Sequence, residues 1–101
     1  MDWEDILPDA APMCTVGVVY PHSPAKAAGL RAGDAVLSFG AVRLADFVSV
    51  GETLAPIVKE HVGKPISVVV SRVEDGSEAH VGLRLTPDTW SGKGLLGCSL
   101  K

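Results

Sequence analysis

The sequence predicts an α+β fold: a five- to six-stranded, partly open antiparallel β-barrel or sandwich, capped by one short helix and one long helix. Short β-branched or alternating apolar runs recur between turn residues, which is typical of antiparallel strands. The segment 45–64 instead has apolar residues at helical spacing. A chain of 101 residues with 47% hydrophobic residues is about the size of one domain and can bury a modest core.

The first elements are a strand at residues 14–20 and a short helix at 24–28. The run "MCTVGVVY" is β-branched and apolar, and Pro21 ends it. Ser23 is a suitable N-cap for the helix, since Pro24 fits the first helical position. Gly29 is predicted to end the helix in the left-handed conformation.

A turn and one or two strands follow the short helix. In "RAGD", Gly33 is free to take a positive φ, and Asp34 can accept hydrogen bonds from neighbouring backbone amides. The segment 35–40, "AVLSFG", is predicted as a strand, and 41–44, "AVRL", as a short strand beside it.

The segment 45–64 is predicted as the one long helix. Pro56 lies inside it and Gly51 weakens it, so a kink or break is expected near residues 54–56. Gly63 marks its end. The apolar positions with helical spacing are Phe47, Val50, Leu54, Ile57, Val58 and Val62.

The remaining sequence predicts a β-hairpin and a last strand. Residues 65–73, "PISVVVSRV", form one strand, and Asp75-Gly76 is a hairpin turn. Residues 79–87 return as the partner strand, and after a loop residues 95–100 form the last strand. Along the partner strand, the side chains expected on one face are Val81, Leu83 and Leu85.

Composition excludes several classes of function. A net charge of -3 and a pI of about 5.5 provide no basic surface for nucleic acid. No apolar run has the roughly 18 residues of a membrane span, and the acidic start lacks a signal-peptide pattern. We therefore expect a cytoplasmic or nuclear protein, with Cys14 and Cys98 as reduced thiols.

Residues 1–12 are predicted to be an extended or frayed acidic lead-in, and residues 13–101 the domain. The acids of the lead-in are typical of a solvated tail. Trp3 either covers an apolar patch or belongs to a disordered tail, and the sequence favours neither.

The glycine-rich stretch "WSGKGLLGCSL", residues 90–100, is the candidate site. It lacks the spacing of a phosphate-binding loop and no helix follows it, which leaves a structural turn or a peptide pocket. Successive amides of Leu95, Leu96 and Gly97 could form a nest for a carboxylate, with Lys93 as a cation at the rim. Gly94 and Gly97 would allow close backbone approach.

Three stretches of the sequence resemble a PDZ domain. They are Ser23-Pro24-Ala25, Gly29-Leu30, and Gly33-Asp34 leading into Val36-Leu37. A standard PDZ domain has its carboxylate-binding loop near the N-terminus, whereas Gly94-Leu95-Leu96-Gly97 lies at the other end, as in a circularly permuted PDZ domain. The blocks "GLRAGDAVLSFGAV", "EHVGKPISVVV" and "DTWSGKGLLGCSL" are similar to the PDZ module of the proteasome regulatory-particle assembly chaperones.

The resemblance covers residues 13–100 and implies a binding function. A C-terminal peptide tail would add as a strand beside the last strand, with its carboxylate on the loop. The implied partner is the tail of a proteasome base AAA ATPase, 26S protease regulatory subunit 6A. The resemblance also implies that this protein binds the tail as a monomer. Members of this family carry a helical, coiled-coil-like segment ahead of the PDZ domain, where this sequence has only the lead-in. The implied site residues are Lys93, Gly94, Leu95, Leu96 and Gly97 for the carboxylate, and Cys98, Ser99, Leu100, Val50, Leu54 and Ile57 or Val58 for the groove.

The resemblance also implies that Cys14 and Cys98 lie on neighbouring strands. Trp90, just before the glycine run, is expected to support the loop by packing beneath it. A terminal ligand residue with a hydrophobic side chain is expected.

The sequence gives little support for metal binding or for catalysis. The three histidines, His22, His61 and His80, have no metal-ligand spacing, and Ser23 is explained as a helix cap. We therefore expect no cofactor, no metal and no enzymatic activity. The alternatives that stay open are a generic PDZ adaptor, or a substrate-sensing PDZ domain associated with a protease.

Overall fold

The structure, a computed structural model, describes residues 12–101 and contains one open five-stranded antiparallel sheet in the order β4-β3-β2-β1-β5. This confirms the α+β class. The predicted properties of the lead-in, including Trp3, lie outside the described residues. The strands are β1 (Cys14–Val19), β2 (Ala35–Phe39), β3 (Ile66–Glu74), β4 (Ser77–Leu85) and β5 (Cys98–Leu100).

The short helix α1 (Pro24–Ala28) has the predicted caps. The Ser23 side chain accepts a hydrogen bond from the Lys26 amide, and Gly29 is left-handed with φ 94°. Gly33 also has a positive φ, 93°, and the Asp34 carboxylate accepts from the Arg31 amide at 2.9 Å. Local turn chemistry therefore fixes this segment as predicted.

The prediction of one long helix over 45–64 is wrong in extent. Leu44–Asp46 forms a separate 3-10 turn, and the helical segment is a wide π-helical turn, Val50–Leu54, continued by α2 (Ala55–Glu60). Ser49 is the N-cap, since its hydroxyl accepts from the Glu52 amide at 3.0 Å. Because Ser49 caps the helix, the preceding residues cannot belong to it.

The irregularity predicted near residues 54–56 takes the form of the π-helical turn. The Ala55 amide bonds to the Val50 carbonyl five residues back. Pro56, at the start of α2, has no amide hydrogen, and its ring would clash with the carbonyl four residues earlier in a regular helix. A wide turn at this point accommodates the proline.

Two other boundaries differ from the prediction. Residues 41–44 do not form a strand, because a tight turn leaves only an isolated bridge between Phe39 and Val42. The last strand begins at Cys98 and not at residue 95, because residues 95–97 form a loop with positive φ at Gly97. The hairpin turn at Asp75 and Gly76 is as predicted, with φ of 52° and 80°.

The core lies between the sheet and the helices. Its most buried side chains include Val16, Val36, Phe39, Leu54, Val68, Val70 and Leu85, each at most 1% exposed. Val81 and Leu83 pack against this core with Leu85, as the alternation in β4 predicts. Burial of Leu54 in the core anchors the π-helical turn, and with it one wall of the site described next.

Candidate functional site

A groove of about 390 Å³ lies between β5 and the helical segment 50–60. The volume is within the range of roughly 300–1,000 Å³ common for ligand pockets. The residues that line it are Val50, Leu54, Ala55, Val58 and Lys59 on the helical side, and Lys93, Gly94, Leu95, Leu96, Gly97, Cys98 and Leu100 on the other.

Of the residues predicted for the site, only Ser99 and Ile57 do not line the groove. Ser99 faces the neighbouring strand instead, where its hydroxyl accepts a hydrogen bond from the Val18 amide at 2.9 Å. Ile57 packs against the core, and its carbonyl accepts from the His61 amide.

Sequence reasoning missed two groove residues, Ala55 and Lys59. Together with Val50, Leu54 and Val58 they follow the spacing i, i+4, i+5, i+8, i+9. This spacing is one continuous helical face, so extending the apolar periodicity by one position would have found both.

Three consecutive carbonyls of the glycine-rich loop accept hydrogen bonds from inside the domain. The Leu95 carbonyl accepts from the Asp88 amide at 3.0 Å, and the Leu96 carbonyl from the Ala25 amide at 2.8 Å. The Gly97 carbonyl accepts from the Tyr20 amide at 2.9 Å. Three separate segments therefore fix the orientation of three consecutive peptide planes.

This orientation determines where the amides point. In a trans peptide the carbonyl and the next residue's N–H point in opposite directions, and none of the described peptide bonds is cis. The amides of Leu96, Gly97 and Cys98 therefore point away from the domain body. Within residues 12–101, the amides of Leu96 and Gly97 donate to no other group. Leu96 and Gly97 belong to the predicted set of amides, and Cys98 directly follows that set. The Leu95 amide, also predicted, likewise donates to no group within residues 12–101.

The outer edge of β5 is unpaired within residues 12–101, because β5 is the last strand of the sheet. On its inner edge, Lys101 exchanges two backbone hydrogen bonds with Thr15, and Gly97 bonds to Tyr20. Backbone groups alternate in direction along a strand, so those of Cys98 and Leu100 face the open edge.

Trp90 packs beneath the loop, as predicted. Its ring lies 6.0 Å from that of Tyr20, centroid to centroid, and is so close to Gly92 that a β-carbon there would overlap with it. A β-carbon on Gly97 would collide with the Ser23 side chain. The two glycines are thus required for the loop to close over the indole and the start of α1. The Trp90 Nε1 atom is buried and has no hydrogen-bond partner among the described residues.

The loop also lies beside the C-terminal end of α2. The Gly63 amide, just after that helix, bonds to the Pro87 carbonyl at 2.8 Å, and the adjacent Asp88 amide bonds to Leu95. Lys59 and Lys93 therefore both lie toward the loop end of the groove.

Of the described residues that line the groove, Cys98 is the one titratable group besides the two lysines. Burial, with a smaller contribution from Cys14, raises the pKa of its thiol to about 11. Burial also raises the pKa of Cys14. Both cysteines are free thiols, on paired strands, but the residue opposite Cys98 is Val19.

In residues 12–101 no three His, Cys, Asp or Glu side chains cluster as metal ligands would. No helix of the described part is long and apolar enough to span a membrane.

The open antiparallel sheet, the two helices and a groove beside the edge strand define a PDZ-like α+β domain, with the glycine-rich loop next to the last strand. No protein-family model matches the chain. Curated proteins do match it, and they are named 26S proteasome non-ATPase regulatory subunit 9.

Three of these relatives show the extent of the similarity. The mouse protein (Mus musculus) is 41% identical over 95 residues, which are 94% of this chain and 40% of that protein. The rat protein (Rattus norvegicus) is 42% identical over 84% of this chain and 36% of its own length. The Drosophila melanogaster protein is 38% identical over 95% of this chain and 41% of its own length. The chain is therefore homologous to 26S proteasome non-ATPase regulatory subunit 9, and it spans about two fifths of the length of the curated relatives it matches.

Proposed function

We propose that the groove binds the C-terminal tail of a partner protein by β-strand addition to β5. The observation that carries the proposal is the orientation of the loop. Its carbonyls are held inward by Asp88, Ala25 and Tyr20, so consecutive amides face outward without partners inside the described chain. Such a series of amides forms a nest for an anion, and a chain terminus supplies a carboxylate.

The direction of the ligand follows from the position of the loop. The strand β5 runs away from the loop, from Cys98 to Leu100. A tail with its carboxylate at Gly97 and its upstream residues beside Leu100 is therefore antiparallel to β5. It would bond to the backbone groups of Cys98 and Leu100 that face the open edge.

The terminal side chain would enter the apolar part of the groove. Leu54, Val58 and Leu95 supply apolar surface there, and no carboxylate of residues 12–101 lines the groove. Burying one Leu-sized side chain is worth about 1.5–3 kcal/mol, and each hydrogen bond to the charged carboxylate about 1.5–3 kcal/mol. Ordering the peptide offsets much of this gain, so we expect a Kd of micromolar order, about 8 kcal/mol.

Homology suggests the partner. The relatives are named as regulatory subunits of the 26S proteasome, which supports a proteasome component as partner and a non-catalytic role. We propose the tail of a base AAA ATPase, with 26S protease regulatory subunit 6A as first candidate, and a role in assembling the base. Binding there would mask the tail until the base joins the proteolytic core. A generic adaptor would use the same groove for unrelated tails.

Titration of the protein with tail peptides tests the proposal. Peptides from the base ATPases are compared as free acids and as C-terminal amides, by calorimetry or fluorescence anisotropy. The free acids are expected to bind at least tenfold tighter. Equal binding of acid and amide would rule out the carboxylate nest, while tight binding of unrelated tails alone would favour the adaptor.

A further inference from the structure

The part of the groove lining that comes from residues 12–101 is apolar, except for two lysines on opposite walls. Lys59 comes from α2 and Lys93 from the loop, and both lie toward the end of the groove where the loop meets the C-terminal end of that helix. Among the described residues, the only other titratable group in the lining is Cys98, whose thiol stays neutral at pH 7 because its pKa is about 11. This end of the groove is therefore positively charged, on a chain whose net charge is -3.

Both lysines are exposed residues, although they line the groove. Long lysine side chains place their methylene groups along apolar surface and keep the ammonium group in water. The two ammonium groups consequently belong to the solvent side of the groove, above its apolar floor.

Strand geometry places one ligand side chain beside these ammonium groups. Successive side chains of an added strand point to opposite sides. If the terminal side chain enters the apolar floor, the penultimate side chain points to the solvent side, between the helix wall and the loop. The charged groove-lining residues among the described residues are Lys59 and Lys93, so these are the cations that it would meet.

From this arrangement we infer that the groove selects tails with an acidic penultimate residue, and that Lys59 is a specificity-determining residue. The inference rests on the proposed function, since it assumes a tail bound by strand addition. It deepens that proposal by defining the ligand class: an apolar terminal residue preceded by Asp or Glu. A basic penultimate residue is disfavoured because two cations face it.

The expected size of the preference for an acidic penultimate residue follows from the solvent exposure of the two lysines. An exposed ion pair changes affinity by about 1.5- to 5-fold. With two cations near the side chain, we expect a ratio of roughly tenfold between Glu and Lys at the penultimate position at low salt, falling toward unity at high salt because exposed charges are screened.

The test uses one host peptide, acetyl-Gly-Ser-Thr-Ala-Xaa-Leu with a free carboxylate, in which Xaa is Glu, Gln or Lys. Affinities for the unmodified protein are expected in the order Glu, Gln, Lys. In Lys59→Gln the spread should shrink by at least half, and in Lys59→Glu the Lys peptide should bind as well as or better than the Glu peptide. Lys64→Gln removes the same charge from an exposed residue outside the groove lining and should leave the order and spread unchanged.

The outcomes separate the two proposals. If the Gln peptide binds no better than its own C-terminal amide, the proposed tail binding fails. If the Gln peptide binds as an acid but the three peptides have equal affinities, or Lys59→Gln leaves their spread unchanged, the penultimate selection is overturned while tail binding stands. Thermal unfolding of each variant excludes a loss of fold as the cause.

Discussion

Arg72 Nη2 lies 2.6 Å from Asp34 Oδ2, and both side chains are nearly buried, at 9% and 2% exposure. Arg72 Nε bonds to the other carboxylate oxygen at 3.0 Å, which makes the pair bidentate. The same guanidinium donates to the Gly29 carbonyl, at the end of α1, at 3.0 Å. One side chain of β3 therefore holds the end of the short helix and the turn that follows it. Because α1 also bonds to the loop through Ala25, this ion pair supports the site from a distance.

Removing Arg72 should destabilise the protein strongly. In Arg72→Met the Asp34 carboxylate stays buried without its partner, and loss of one member of a buried pair costs about 3–5 kcal/mol. Arg31→Met is the control, since its ion pair with Glu74 joins side chains that are 65% and 45% exposed. Such a pair contributes about 0–1 kcal/mol. Urea unfolding measures both variants, and similar losses for the two would contradict a structural role for the buried pair.

Substitution of Gly97 should damage the loop more than the same substitution at another glycine. Gly97 has φ 76°, and a β-carbon there would collide with Ser23 and approach Trp90. Gly76 has nearly the same φ, 80°, but open space around it. Gly76→Ala should therefore cost only the left-handed backbone penalty, about 1–2 kcal/mol. Gly97→Ala should cost more in urea unfolding and abolish binding of a free-acid tail peptide. Equal stability losses would show that the loop can move away from Ser23 at no cost.

The Cys98 thiol should make stability depend on pH above neutrality. Its pKa is about 11 in the folded protein against an ordinary value of 9.0. The folded state thus binds the proton more tightly, so the stabilisation is fully present below pH 9 and is lost as pH rises from about 9 to 11. The difference in unfolding free energy between the original protein and Cys98→Ser should decrease across that window. A constant difference would mean that the thiol titrates alike in the folded and unfolded states.

The same thiol should react slowly with alkylating reagents. The thiolate is the nucleophile, and a pKa of about 11 leaves little of it at pH 8. Alkylation of Cys98 by iodoacetamide, followed by mass spectrometry, should accelerate with pH up to about 11. A saturating free-acid peptide should slow it further, because Cys98 lines the groove. Acceleration by the peptide, or no change, would contradict ligand placement beside Cys98.

The features of the fold that the sequence predicts are those fixed by interactions between residues close together in the chain. Ser23, Gly29 and Asp75-Gly76 act within a few residues, and the structure confirms their predicted caps and turn. The predicted helix over 45–64 is too long, because apolar spacing does not reveal that Ser49 is an N-cap inside this segment. The sequence predicts only a local role for Asp34, since nothing in it indicates pairing with Arg72, 38 residues away.

In the candidate site, too, local features were predictable and features that depend on distant segments were not. The loop was located from its glycines, and the helical wall from its spacing. The sequence predicts the amides of Leu96 and Gly97 as part of the nest, but not the interactions that orient them. Asp88, Ala25 and Tyr20 come from three separate segments and fix the loop carbonyls only in the folded chain. The sequence predicts Ser99 in the groove because it does not show how β5 pairs with β1, and this pairing determines which side chains of β5 face the groove.

A proline at position 100 should separate strand addition from folding. The backbone of Leu100 faces the open edge of β5, so its amide is not needed for pairing with β1, and proline is tolerated at such edge positions. Leu100→Pro removes this donor to the ligand strand together with the leucine side chain, whereas Leu100→Ala removes the side chain alone. Both variants should have similar urea midpoints.

Leu100→Pro is expected to bind a free-acid tail peptide about tenfold more weakly than Leu100→Ala. One main-chain hydrogen bond of about 0.5–1.5 kcal/mol is lost, and its partner on the ligand is left unpaired. Equal affinities of the two variants, with both folded, would show that the ligand does not bond to the edge of β5.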